Sequence, residues 1–187
     1  MTEPVQISAE NVNKTFPKYP MTVEDKGWVY GVWYCGTAFK KNRLHGEYPP
    51  TFLKRAMALF PNAVDVLHAP SGLLDWQKLP SGHITLDAVC DSVRKPKIQA
   101  DCKAMPFPNG SFDVVLSDPP YTAKDAEIYG CPPFTMNLFM REALRVLRVS
   151  GYLGVLHTYY PPYKRKQGWK LVALIAVVTG SSKCTRM

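Results

Sequence analysis

The sequence predicts an α/β protein, a mostly parallel, twisted sheet flanked by helices, and three observations carry that expectation. Strand-like runs recur at residues 64–67, 83–88, 97–100 and 114–116, each too short for a helix and bounded by turn residues. Three of these runs end in a carboxylate: Asp87, Asp101 and Asp118. An amphipathic helical pattern over residues 134–147 then separates the fourth run from a fifth at 152–156, the alternation that builds parallel sheets.

The bulk numbers bound the rest. A chain of 187 residues is one domain's worth, long enough to bury a core and too short for a second recognition domain of ordinary size. The expected division is an N-terminal arm with an aromatic and basic segment over 1–47, and a single catalytic domain over 48–187. No apolar run approaches a membrane span and no leader pattern opens the sequence, so the expectation is a soluble, cytoplasmic protein without a membrane partner. The cysteines, Cys35, Cys90, Cys102, Cys131 and Cys184, are scattered and lack a C-x-x-C pair, which suits a reduced compartment and argues against zinc or another metal. The formal charge of +8 fits a polyanionic partner, because Lys and Arg displace counterions from phosphates.

In chain order, Pro4, Pro17 and Pro20 mark an irregular arm. Residues 28–36, rich in Trp and Tyr, read as a strand; their rings pack on the core or form a wall for bases, with Lys40, Lys41, Arg43 and His45 following. Phe52, Ala56, Leu59 and Phe60 recur at helical spacing, with Thr51 as the cap and Pro61 past the end. Lys54 and Arg55 are expected to face solvent. After the run 64–67 comes the loop His68-Ala69-Pro70-Ser71-Gly72, and residues 75–79 leave room for only a turn or so of helix before the next run. Asp87 ends that run where a carboxylate can accept both hydroxyls of a ribose, with Asp91 as the competing candidate.

The fourth run is followed by Asp118-Pro119-Pro120-Tyr121. Two prolines cannot continue a ladder, so the strand stops and a stiff loop carries one carboxylate and one ring to the carboxyl end of the sheet, where ligands gather in open α/β folds. These four residues resemble the DPPY motif of class I S-adenosylmethionine-dependent methyltransferases that modify an exocyclic amino nitrogen, most familiarly adenine N6 in DNA. The resemblance covers roughly residues 63–180 and implies a Rossmann-like single domain with S-adenosylmethionine as cofactor. By that likeness the loop His68, Ala69, Pro70, Ser71 and Gly72 meets the cofactor's methionine portion, Asp87 its ribose, and Asp101 with Cys102 its adenine; Asp118 borders the cofactor as well. The chain departs from the family by lacking a G-x-G in that first loop.

An aromatic amine is a poor nucleophile, because its lone pair is delocalised. Asp118 and the Pro119 carbonyl would hold its two hydrogens and turn the lone pair towards the methyl; Pro120 stiffens the turn and Tyr121 stacks on the flipped base. Residues 122–133 read as a polar substrate loop with Lys124 available to a phosphate. Arg141, Arg145 and Arg148 read as a solvated helix face. Tyr159, Tyr160, Lys164, Arg165 and Lys166 interleave rings and cations as a nucleic-acid segment would want, or form a charged helix start. Residues 171–179 make a sixth strand, and a returning antiparallel strand is expected short or truncated. The partner expected is nucleic acid, DNA over RNA. The alternatives are an RNA methyltransferase acting on guanine N2 or adenine N6, and a non-catalytic nucleic-acid-binding module; a homodimer or a partner subunit is the matching assembly.

Overall fold

The computed structural model describes residues 4–36, 46–179 and 185–186. Lys40, Lys41, Arg43, His45 and Cys184 lie outside the described residues. In chain order the elements are α1 (Ala9–Thr15), β1 (Thr22–Asp25), β2 (Trp28–Tyr34), α2 (Phe52–Leu59), β3 (Val66–His68), β4 (His83–Asp87) and β5 (Ile98–Gln99). There follow β6 (Phe112–Ser117), α3 (Ala123–Tyr129), α4 (Met136–Val146), β7 (Leu147–Val155), β8 (Ala173–Val178) and β9 (Thr185–Arg186). They gather into two compact units that alternate along the chain, one of Met1–Val5, Arg43–Glu47 and Ala63–His157, the other of Gln6–Asn42, Tyr48–Asn62 and Thr158–Met187.

The first unit holds the predicted α/β fold. Its sheet has five strands in the order β5-β4-β3-β6-β7, every pair parallel, the Rossmann-like arrangement in which the strand order reverses beside the first strand. β6 is buried at all six positions, which is why its middle, Val114, Val115 and Leu116, reads as an apolar run without polar alternation. The crossover from β3 to β4 is a single 3₁₀ turn, Trp76–Lys78, as the short spacing predicts. Residues 122–133, expected as loop, contain α3: Thr122 and Asp125 form a reciprocal capping box and Gly130 closes the helix in the left-handed region.

In α4 the buried face is Met136, Phe139, Met140, Ala143 and Val146, while Leu138 and Leu144 are exposed. The sequence pattern puts Leu138, Phe139, Ala143, Leu144, Val146 and Leu147 on the apolar face and ends the helix at Ser150-Gly151; the buried stripe is rotated from that face, and β7 already starts at Leu147. Of the three arginines expected in solvent only Arg141 is exposed. Arg145 pairs with Glu142 and donates to the carbonyls of Met105 and Phe107; Arg148 pairs with Asp65 and Asp113.

The second unit has a four-stranded sheet in the order β1-β2-β8-β9. β1 and β2 join through Lys26-Gly27, both at positive φ, the two-residue turn whose twist suits a hairpin. Gly31 is required here, because a Cβ would stand 2.0 Å from the Met21 carbonyl oxygen. The sixth predicted strand, β8, runs parallel to β2 and antiparallel to β9. The region expected as an irregular arm holds α1, capped by the Ser8 side chain and anchored by the fully buried Val12. Thr51 precedes α2 without a capping side-chain bond, and Arg55 is buried, not solvated: its guanidinium lies 3.8 Å over the Phe16 ring and donates to the Tyr34 carbonyl.

At the amino end of β6 a charged knot ties three strand entrances together. The Oδ2 of Asp113 accepts from the backbone N–H groups of Val64 and Asp65 at 3.0 and 2.9 Å, and its Oδ1 accepts from Arg148. Burial pushes the Asp113 carboxyl up, but those backbone donors and the guanidinium outweigh it and leave it below the usual carboxylate range. Its contribution to stability is therefore present above the unfolded value near 4 and is lost as pH falls through the lower folded value. Asp113→Asn is expected to cost about 2 kcal/mol at pH 7, with the gap in Tm to the parent closing below about pH 4. A gap that stays constant down to pH 3 in thermal melts would contradict this account.

Candidate functional site

Because all five strands of the first unit are parallel, their carboxyl ends share one edge, and that edge collects His68, Asp87, the Ala100-Asp101 turn, Asp118 and, past β7, His157. β3 has β4 on one side and β6 on the other, so the loops after β3, β4 and β6 meet at the point where the strand order reverses.

The loop after β3 is fixed through its own backbone. Ala69 N–H donates to the Leu116 carbonyl at 3.0 Å, Ser71 N–H to Leu86 at 2.9 Å, Gly72 N–H to Asp87 Oδ2 at 2.8 Å, Leu73 N–H to Gly46 at 2.9 Å and Leu74 N–H to Ser71 at 3.1 Å. Pro70 has no N–H, and the Ala69–Pro70 bond is cis. The loop therefore has no backbone donor left for a ligand. What it does offer is a hydroxyl: Ser71 Oγ is buried and without a hydrogen-bond partner among the described residues, as is Ser117 Oγ at the end of β6. Gly72 sits at φ +55°, and a Cβ there would stand 1.8 Å from the Gly46 carbonyl oxygen. His68 is wholly buried, its Nε2 3.1 Å from His83 Nδ1 on β4. Burial and the neighbouring ring hold His68 down at about 3, so the pair is neutral and belongs to the packing of the two strands.

Asp87 brackets the next loop. Its Oδ2 takes Gly72 N–H and its Oδ1 takes Val89 N–H at 3.0 Å. Burial raises its carboxyl above the ordinary value against the pull of these donors and of Arg94. A backbone hydrogen bond from Ser71 also acts on this carboxylate. Asp91 is a turn former instead: it accepts from the N–H groups of Val93 and Arg94 and from the Arg94 guanidinium, and these hold it at about 2. Asp101 is paired with Lys103, whose Nζ lies 3.0 Å away and also donates to the Pro133 carbonyl. The Cys102 thiol is pushed up to about 12 by burial and the Asp101 charge, so it is no nucleophile.

In the loop after β6, the Tyr121 hydroxyl donates to Asp118 Oδ1 at 2.6 Å. The Tyr121 ring meets the His157 ring edge to face, centroids 4.9 Å apart at 70°. Tyr121 is thus held at both ends, by Asp118 at its hydroxyl and by His157 at its ring. His157 is buried, which lowers its pKa and keeps it neutral. Pro119 and Pro120 are buried, and no N–H of the described residues donates to the Pro119 carbonyl. Lys124 is exposed on α3. Tyr159, Tyr160, Lys164, Arg165 and Lys166 are exposed and belong to the second unit. Sequence reasoning missed His157 and His83, whose only signal is their place at strand ends.

The chain matches no protein-family model and no curated protein. No group of three or more His, Cys, Asp or Glu among the described residues is arranged to hold a metal, and no helix among them is long and apolar enough to cross a membrane.

Gly72→Ala is expected to lower the stability of the chain by about 2–4 kcal/mol, because it combines a left-handed φ with a backbone collision. Chemical denaturation at neutral pH reads this directly, and a variant as stable as the parent would mean that the Gly46 contact is not formed.

Proposed function

We propose that the protein transfers a methyl group from S-adenosylmethionine to an exocyclic amino nitrogen of a nucleic-acid base, with adenine N6 in DNA the leading acceptor. The observation that carries this reading is the position of Asp118-Pro119-Pro120-Tyr121 just past the fully buried strand β6, on the same sheet edge as two further strand-end carboxylates, Asp87 and Asp101.

The residues present fit the nucleoside half of that cofactor. Asp87 presents its carboxylate at the end of β4 for ribose hydroxyls, and Asp101 stands past the next strand for an adenine amine. The fit of the methionine half is different from the family pattern. A backbone cradle is ruled out by the spent N–H groups of residues 69–74, and the buried Ser71 hydroxyl is the donor that remains. When bound, the cofactor supplies the sulfonium methyl as electrophile. The chain supplies orientation: Asp118 and the Pro119 carbonyl accept the two amine hydrogens, which localises the nitrogen lone pair. Tyr121 donates its hydroxyl to one oxygen of the Asp118 carboxylate. Its phenol, already steadied by His157, presents a ring to the base.

Asp118→Ala is expected to reduce methyl transfer by at least about 10³-fold, the scale of a lost transition-state contact, while cofactor affinity changes little. Tyr121→Phe keeps the ring and should retain most activity, whereas Tyr121→Ala should lose about 10–100-fold with the stacking face. Nucleoside mass spectrometry after incubation with DNA and with RNA, alongside calorimetry with the cofactor, checks both. Undiminished transfer by Asp118→Ala would overturn the assignment. No heat with the cofactor would favour a nucleic-acid-binding module on this fold.

A further inference from the structure

Two independent observations outside the strand-end site converge on the second unit. The first is charge. The segments of that unit carry thirteen Lys and Arg against three Asp and Glu, a net of +10, whereas those of the first unit carry ten against twelve, a net of −2. The basicity of the chain is a property of one unit. Lys164, Arg165, Lys166 and Lys170 are exposed and have no acidic partner among the described residues.

The second is a row of rings. Along β2, Trp28, Tyr30 and Tyr34 are 45%, 46% and 49% exposed, while the alternate Val29 and Trp33 are buried. The register sets Val23 of β1 beside Tyr30, and Leu174, Ala176 and Val178 of β8 beside Tyr30, Val32 and Tyr34, so the rings stand on an apolar floor. The row ends at a cavity of about 460 Å³ lined by Tyr19, Tyr34, Pro50 and Thr51, with the Tyr19 and Tyr34 rings 5.9 Å apart.

We propose that this sheet face is a docking surface for single-stranded DNA, with bases stacked on Trp28, Tyr30 and Tyr34 and phosphates met by the cations of the same unit. At the rise of a strand, Trp28 and Tyr30 stand about 6.6 Å apart and Tyr34 about 13 Å beyond Tyr30, spacings that suit splayed bases. A duplex keeps its base faces stacked on one another and offers such a row nothing to cover. A protein partner would have to bring strong negative charge as well as apolar surface, whereas a nucleic-acid single strand carries both in every repeat. The choice of DNA over RNA rests on the methyl-transfer reading above; the surface does not.

The test is fluorescence anisotropy with the full chain and labelled oligothymidine of about 15 nucleotides, within the site sizes of such platforms, without cofactor. The single strand should bind at least about tenfold tighter than a duplex of the same length, with an affinity that falls steeply with salt. Trp28→Ala and Tyr30→Ala should each weaken it about tenfold, with Trp28→Phe recovering most of the loss and circular dichroism unchanged. Any of four results would overturn the proposal: equal binding of duplex, alanine variants that bind like the parent, oligouridine bound about tenfold tighter than oligothymidine, or a parent dimer that Trp28→Ala dissolves in sedimentation. Nucleoside mass spectrometry on the parent separates the two readings, because thymine has no exocyclic amine and oligothymidine binding is read without methyl transfer.

Discussion

The carboxylate of Asp87 and the backbone of residues 69–74 form the constraint on which the strand-end site depends. A parallel sheet directs the loops that leave its carboxyl ends to one edge, and each loop must find acceptors for its amides there. Here the loop after β3 finds them in its neighbours: Leu116 on β6, Leu86 and Asp87 on β4. The gain is a loop that holds its shape without a ligand, at the expense of the amide cradle that glycine-rich loops present. Placing Gly72 against the Gly46 carbonyl completes the arrangement, since no side chain fits between them. The chemistry left at this edge is that of side chains: carboxylates at Asp87, Asp101 and Asp118, hydroxyls at Ser71 and Ser117, and the phenol of Tyr121.

Much of the first unit was legible because its signals are local. The runs that became β4 and β6 carry β-branched residues between turn formers, and their terminal carboxylates mark where each strand stops. What was not legible depended on contacts remote in sequence. The pairing of β2 with β8 joins residues more than a hundred positions apart and leaves no trace in either segment. Arg55 reads as a surface cation on any helical wheel, yet the Phe16 ring covers it. His68 was expected to face a ligand from its loop, and its partner His83 is visible only once the two strands lie side by side. α3 was hidden differently: the prolines around it suggested loop, although Thr122 and Asp125 spell out a cap.

The candidate motif illustrates the same divide between residue type and geometry. Asp118, Pro119 and Tyr121 could be picked from the sequence, and so could their place after a strand. Two contacts that steady the ring could not. The bond from the Tyr121 hydroxyl spans three residues within a tight loop, and the edge-to-face contact reaches His157 beyond β7. Together they lower the number of orientations the ring samples, which on the proposed reading would reduce the ordering cost of stacking a base. A neutral imidazole suits that role, since burial keeps His157 from acquiring a charge that would hydrate and draw away from the ring.

The charge of the chain is unevenly divided between the two units, and on the proposed reading that division matters for recognition. A unit with a net charge of −2 gains nothing from counterion release when a polyanion approaches, and its strand-end carboxylates repel phosphate. On the proposed reading, affinity for a nucleic acid would come from the residues of the second unit. Three stacked bases at about 1–3 kcal/mol each, added to cations without acidic partners, are of the size needed for binding in the micromolar range, about 8 kcal/mol. A carboxylate-rich edge suited to positioning an amine is poorly suited to holding a phosphate backbone, and a ring-bearing basic sheet has the opposite properties.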